Sequence, residues 1–148
     1  MCGITGIWRL DGRSATVSES TPFAKSLEHR GPDAFGIESF GNICLGHTRL
    51  AIQDLSPAGK QPMLSNSGRY VIAYNGEIYN ACELKAELAN DSSVSHDWKG
   101  HSDTEVLLAA VEAWGLKAAV SRFVGMFAFA LWDKDEGALH LVRDRLGI

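Results

Sequence analysis

The chain has 148 residues, 45% of them hydrophobic and 22% charged, the composition of one folded domain with a continuous core. A formal net charge of −4 excludes the basic footprint of a nucleic-acid binder and a polybasic membrane patch. No apolar run approaches the roughly 18 residues of a spanning helix, and no charged stretch leads into an apolar one at the start, so neither a membrane span nor a signal peptide is expected.

The first eight residues, MCGITGIW, place a cysteine directly after the initiator methionine. Ile4, Ile7 and Trp8, with Gly3 and Gly6 between them, read as an apolar strand that starts almost at once and anchors the terminus. If Met1 is removed, Cys2 carries a thiol and a free α-amine on one Cα, a nucleophile with its own base. The amine titrates at about 7.7–8.0 and the thiol at about 8.5, so proton transfer between them is nearly balanced at neutral pH. Cys2, Cys44 and Cys82 are an odd number without paired spacing, which argues against a disulfide framework or a zinc ribbon and for reduced thiols in a cytoplasmic protein. Cys44 is read as core and Cys82 as part of a helix surface or of its packing.

Residues 10–18 are polar and turn-like. Thr21-Pro22 reads as the cap and first position of a short helix, with Phe23 and Leu27 on one face and its end near His29. RGPDAFG, residues 30–36, is a turn, followed by strands over Phe35–Phe40 and Ile43–Arg49. Residues 53–69 form a long irregular loop, which in a compact domain is usually functional. A strand over Tyr70–Asn75 is expected to break at Gly76. Asn80 with Glu83 is a capping signal for a helix through about Ala89, and 90–100 is loop. Thr104–Trp114 is a helix with Val106, Leu107, Ala110, Val111 and Trp114 on its apolar stripe and Gly115 closing it. A further short helix over 117–123 precedes a hairpin of Met126–Trp132 and Ala138–Arg143, turning at Asp133–Gly137. Strands outnumber helices and meet through tight turns, which favours antiparallel sheets with helices packed on them, an α+β domain.

Four polar clusters accompany the N-terminus. Arg49 ends a strand, either as a solvated charge or as a fork for a carboxylate; His47 beside it is read as structural. Asn75-Gly76 is first of all a turn signal. Alternatively its amide side chain and backbone N–H are two donors able to converge on an oxyanion. Ser102 or Asp103 caps a helix, or Asp103 binds an ammonium group. His96, His101 and Asp103 fit no common metal spacing. Arg30-Gly31-Pro32-Asp33 and Arg143-Asp144-Arg145 read as folding turns with internal salt bridges. Together the clusters suit hydrolysis of an amide on an amino-acid side chain.

The order of motifs resembles one family: MCGITGI at the start, HRGPD at 29–33, GHTRLAI at 46–52, NGEIYN at 75–80, GHSDTE at 100–105, GMFAFALWD at 125–133 and RDRLGI at 143–148. These are similar to the glutaminase domain of class II glutamine amidotransferases, in the branch of the glutamine-hydrolysing asparagine synthetases. The resemblance implies an N-terminal-nucleophile hydrolase fold, a four-layer αββα sandwich of two antiparallel sheets between helices. It implies Cys2 as nucleophile, the Asn75 side chain and Gly76 backbone as oxyanion donors, Arg49 as ligand of the glutamine carboxylate, and Glu77 and Asp103 as ligands of its ammonium group. It further implies that L-glutamine is the substrate and that the domain, residues 1–148, needs no metal or nucleotide. Ammonia would pass to a C-terminal synthetase domain that uses ATP and Mg²⁺, so the chain is expected to be the first part of a longer protein, with its last strands beyond it. Homodimers are common in the family. The resemblance leaves two alternatives open: a non-catalytic glutamine-binding or docking module, and a glutaminase half that serves an acceptor other than aspartate.

Overall fold

A computed structural model describes residues 2–52, 54–91 and 97–147. Met1 and His96, the latter within the expected loop at 90–100, lie outside the described residues. Two antiparallel sheets stack face to face. In the first, β1 (Gly3–Trp8), β3 (Ile43–Arg49) and β2 (Ala34–Phe40) lie in the order β1-β3-β2. In the second, β4 (Met63–Leu64), β5 (Tyr70–Ile78), β6 (Gly125–Asp133) and β7 (Ala138–Arg143) follow in chain order.

Alternation of side chains across each strand explains the stacking. Ile43 and Leu45 of β3 meet Val71 of β5 and Ala130 and Trp132 of β6, sealing the space between the sheets. Trp8 meets Trp132 edge to face at 6.0 Å. The opposite face of the second sheet carries Ile72, Tyr74, Phe127, Phe129 and Leu131, and these pack on α2 (Ala81–Asn90), α3 (Asp103–Trp114) and α4 (Leu116–Arg122). Helix α1 (Val17–Ser26) covers the outer face of the first sheet. Helix, sheet, sheet and helix therefore form the four expected layers.

The local differences have identifiable causes. α1 begins at Val17, four residues before Thr21. Thr16 is its cap, accepting from the Glu19 N–H at 3.3 Å while a Glu19 carboxylate oxygen accepts from the Thr16 N–H at 3.0 Å. This reciprocal pair outweighs Pro22, which sits inside the helix at the cost of one bond. The buried residues of α1 are Ser20 and Ala24; Phe23 is exposed. The loop at 53–69 contains a 3₁₀ turn at Pro57–Gly59 and the short strand β4.

Asn80 precedes α2 but makes no side-chain cap. It donates instead to the Arg122 carbonyl at 2.9 Å and accepts from the Val124 N–H at 2.9 Å, tying α2 to the end of α4. Helix α3 buries Val106, Leu107, Ala110 and Val111 as its stripe predicts, and Gly115 ends it with φ 78°. Cys44 is buried, as expected, and Cys82 is exposed, the surface alternative of the two.

The largest departure is at Asn75-Gly76. No turn forms there, and β5 runs through to Ile78 in unbroken register with β6, from Tyr70 opposite Asp133 to Ile78 opposite Gly125. The reason is close packing between the strands. A Cβ on residue 76 would lie 2.6 Å from Phe127 Cα and closer still to the Met126 carbonyl, so only glycine lets β6 approach here.

Candidate active site

Cys2, at the head of β1, is held by backbone. Its thiol accepts from the Leu50 N–H at 3.4 Å and faces the Leu50 carbonyl at 3.8 Å. Its own carbonyl accepts from Arg30 Nε at 3.3 Å. Asp33, from the same HRGPD turn, accepts from the Ala51 N–H at 2.8 Å. Arg30 and Asp33 thus brace the segments on either side of the thiol and do not form the expected internal ion pair with each other. Asp144 likewise serves backbone, accepting from Phe127, Leu146 and Gly147 N–H groups.

Cys2 opens into a cavity of about 130 Å³. Arg49, Asn75, Gly76, Glu77 and Asp103 also line it, so all six residues singled out in the sequence converge on one hollow. They come from the head of β1, the end of β3, the second half of β5 and the start of α3.

The ladder of β5 determines what Gly76 presents. In an antiparallel pair, alternate residues turn both backbone polar groups to one neighbour and the next residue turns them to the other. Ile72 faces β4, opposite Met63. Two residues on, the Tyr74 N–H donates to Gln61 Oε1 at 2.6 Å and its carbonyl accepts from His47 Nε2 at 2.9 Å, both away from β6. The Ile78 N–H, with the same parity, donates to Asp103 at 2.8 Å. Gly76 lies between them, and its N–H therefore points away from β6 on the side of the cavity. Asn75 and Glu77 have the opposite parity and project from the face that carries Val71, toward the first sheet.

Arg49 reaches the cavity from the side. One guanidinium nitrogen donates to the Ser56 carbonyl at 3.1 Å and another to the Asp54 carbonyl. The Asp54 carboxylate accepts from Ser56 N–H at 2.8 Å and His101 N–H at 3.0 Å, and these bonds hold it down to about 2. Arg49 and Asp54 together fasten the 54–59 loop against the start of α3. Gly59 makes room for this, since a Cβ there would stand 2.8 Å from the Arg49 guanidinium carbon. The 54–59 loop is thus ordered by the same arginine that borders the cavity.

Asp103 is buried, 7% exposed, at the first position of α3. Burial raises its pKa, while bonds from the Tyr74 hydroxyl, the Ile78 N–H and the Thr104 backbone pull it back. Ser102, the geometric cap, makes no side-chain capping bond.

His47 sits between the sheets, 1% exposed, as a structural residue. Because a carbonyl can only accept, Nε2 carries the proton, and Nδ1 finds no partner among the described residues. Burial pushes this imidazole down to about 4. The unfolded chain binds a proton near pH 6.5 that the folded protein refuses until about pH 4, so stability should fall as pH drops through that window, by up to about 3 kcal/mol. Urea unfolding at several pH values should show this slope in the parent and a flatter one in His47→Gln; equal slopes would contradict the assignment.

Sequence reasoning passed over Gln61, Tyr74, Asp54 and the bracing role of Arg30. Only Arg30 lay in a motif; the others stand in a loop or a strand with no local signal.

A family model described as a glutamine amidotransferase domain matches residues 1–148. The chain is 39% identical, over its full length, to a putative glutamine-hydrolysing asparagine synthetase of Methanocaldococcus jannaschii, of which it covers 31%. It is 36% identical, again over its full length, to an amidase, chry2, of Gibberella zeae, of which it covers 23%. The chain thus spans less than a third of the length of these curated relatives. Among solved structures, a glutamine phosphoribosylpyrophosphate amidotransferase from Bacillus subtilis shares the fold, with a TM-score of 0.68 at 24% identity, covering 88% of this chain and 35% of that one.

Proposed function

The chain belongs to the glutamine amidotransferase domain family, and on that premise we propose that it hydrolyses the side-chain amide of L-glutamine to glutamate and ammonia through a thioester on Cys2. The observation that carries this reading is the convergence of Cys2, Arg49, Asn75, Gly76, Glu77 and Asp103 on one cavity of amino-acid size.

The reaction begins once Met1 is removed. The Cys2 α-amine takes the thiol proton and Sγ attacks the side-chain carbonyl carbon of glutamine. The carbonyl electron pair moves onto oxygen, where the Asn75 side-chain amide and the Gly76 N–H receive it as hydrogen-bond donors. The amine then returns its proton to the leaving nitrogen, the C–N bond breaks, and ammonia departs. Water, deprotonated by the same amine, attacks the thioester; glutamate leaves and the thiol re-forms. Arg49 pairs with the substrate α-carboxylate, and Glu77 and Asp103 with its ammonium group. No step calls for a metal or nucleotide in this domain.

The ammonia would serve an ATP- and Mg²⁺-dependent synthetase domain of the longer protein that makes asparagine from aspartate. Glutamine-hydrolysing asparagine synthetases among the relatives favour that acceptor, although the Gibberella zeae amidase carries a similar domain under a different name. A cytoplasmic setting, where thiols stay reduced, agrees with Cys2, Cys44 and Cys82 all being unpaired. Among the described residues, no helix is long and apolar enough to cross a membrane. The test is ammonia release from glutamine by protein whose intact mass shows Met1 gone, beside Cys2→Ala. Activity in the first and none in the second supports the reading; no release from the first refutes it.

A further inference from the structure

We infer that Tyr74 is a positioning residue of this site: its hydroxyl holds the Asp103 carboxylate charged and aimed, and so sets the affinity for the α-ammonium group of the substrate. The inference rests on the glutaminase reading above and adds to it a residue in no motif.

Tyr74 is held at three points. Its N–H, carbonyl and hydroxyl each bond to a different side chain, those of Gln61, His47 and Asp103. The hydroxyl donates to Asp103 Oδ2 at 2.6 Å, and the Ile78 N–H donates to that same oxygen at 2.8 Å. Tyr74 itself is 3% exposed, and burial pushes its phenol far above the ordinary range, so it remains a donor at every working pH. Among the described residues Asp103 has no cationic partner in an ion pair. A nearly buried carboxylate without a counter-ion is costly, and a cationic group of a bound ligand is what would complete it.

Charged and titratable groups face Asp103 from several elements. From β5, Glu77 opposes its ionisation and Tyr74 supports it. Cys2, Arg49 and Asp54 line the same cavity from β1, β3 and the following loop, while His101 and Glu105 flank Asp103 on its own segment. Of these, Tyr74 alone donates a side-chain hydrogen bond to the carboxylate. Replacing it with phenylalanine keeps the ring in the core and removes only that donor. A bond to the charged form lowers a carboxylate's pKa, so its loss raises the pKa and protonates Asp103 at a higher pH.

Tyr74→Phe in Met1-free protein should therefore raise KM for glutamine about tenfold, with a much smaller fall in kcat. In Cys2→Ala protein, where no turnover intervenes, the pH below which glutamine binding is lost should move upward. Binding of 4-carbamoylbutanoate, which is glutamine without its α-amine, should weaken far less than binding of glutamine, with Cys2→Ala as the background for both titrations. A merely structural role would weaken both ligands alike. If Tyr74→Phe does not fold, uniform replacement of tyrosine by 3-fluorotyrosine keeps ring and hydroxyl but strengthens the donor, and the acid loss of glutamine binding should move to lower pH. Equal weakening of both ligands, or an acid loss of glutamine binding that stays in place, overturns the role of Tyr74 while leaving a glutamine-hydrolysing parent intact. A parent that releases no ammonia overturns the glutaminase reading and this inference with it.

Discussion

Protein that retains Met1 should hydrolyse glutamine about 10²–10⁴-fold more slowly than protein from which it has been cleaved, the span that a positioned general base typically contributes. The cause is the nitrogen of Cys2. In the cleaved protein it is an amine with a lone pair that can take the thiol proton; in the uncleaved protein it is a peptide nitrogen with none to offer. His47, the histidine nearest in sequence to the cavity-lining Arg49, cannot substitute. It is buried between the sheets, its protonated nitrogen is spent on the Tyr74 carbonyl, and burial holds its affinity for protons down near 4. Cys2→Ala in the cleaved background should lose thioester chemistry altogether. Ammonia release measured on samples whose intact mass distinguishes the two N-termini makes the comparison direct. Equal rates with and without Met1 would show that the amine is not the base.

Much of this architecture could be read in the sequence because it rests on local patterns. The apolar stripe of α3 buries Val106, Leu107, Ala110 and Val111, and the hairpin of β6 and β7 turns after Asp133. The motifs also pointed to the six cavity residues, although they lie on four separate segments. Where reading failed, a contact between distant segments decided. Asn75-Gly76 has the local chemistry of a turn, yet β6 pairs with it through Gly76 opposite Phe127 and keeps it extended. Asn80 and Glu83 have the spacing of a cap, but the ends of α4 and the 122–124 segment claim the asparagine side chain. Thr16 and Glu19 were legible as a capping box, and Thr21-Pro22 masked them. The bond between Tyr74 and Asp103 joins residues 29 apart in sequence, and nothing at either position announces the other.

Asn75→Ala should lower kcat about 10²–10³-fold with little change in KM or fold, because the lost donor acts on charge that develops only after the thiol attacks. Asn75→Asp should do no better, although it is nearly isosteric, since a carboxylate accepts where a donor is needed and repels a neighbouring oxyanion. If Asn75 merely packs against the first sheet, aspartate would instead be tolerated. Gly76→Ala should differ from both. Its Cβ would press on β6 at 2.6 Å from Phe127 Cα, and backbone there cannot swing aside as a flexible side chain could. The strands must separate, which costs about 1–3 kcal/mol as overpacking and shifts the N–H that the ladder aims at the cavity. Gly76→Ala should therefore lose stability and activity together, whereas the Asn75 variants lose activity alone. Thermal midpoints and single-turnover rates on the three variants separate these outcomes. An Asn75→Ala protein with kcat within about threefold of the parent would remove the oxyanion role from this strand, since one such donor is ordinarily worth far more.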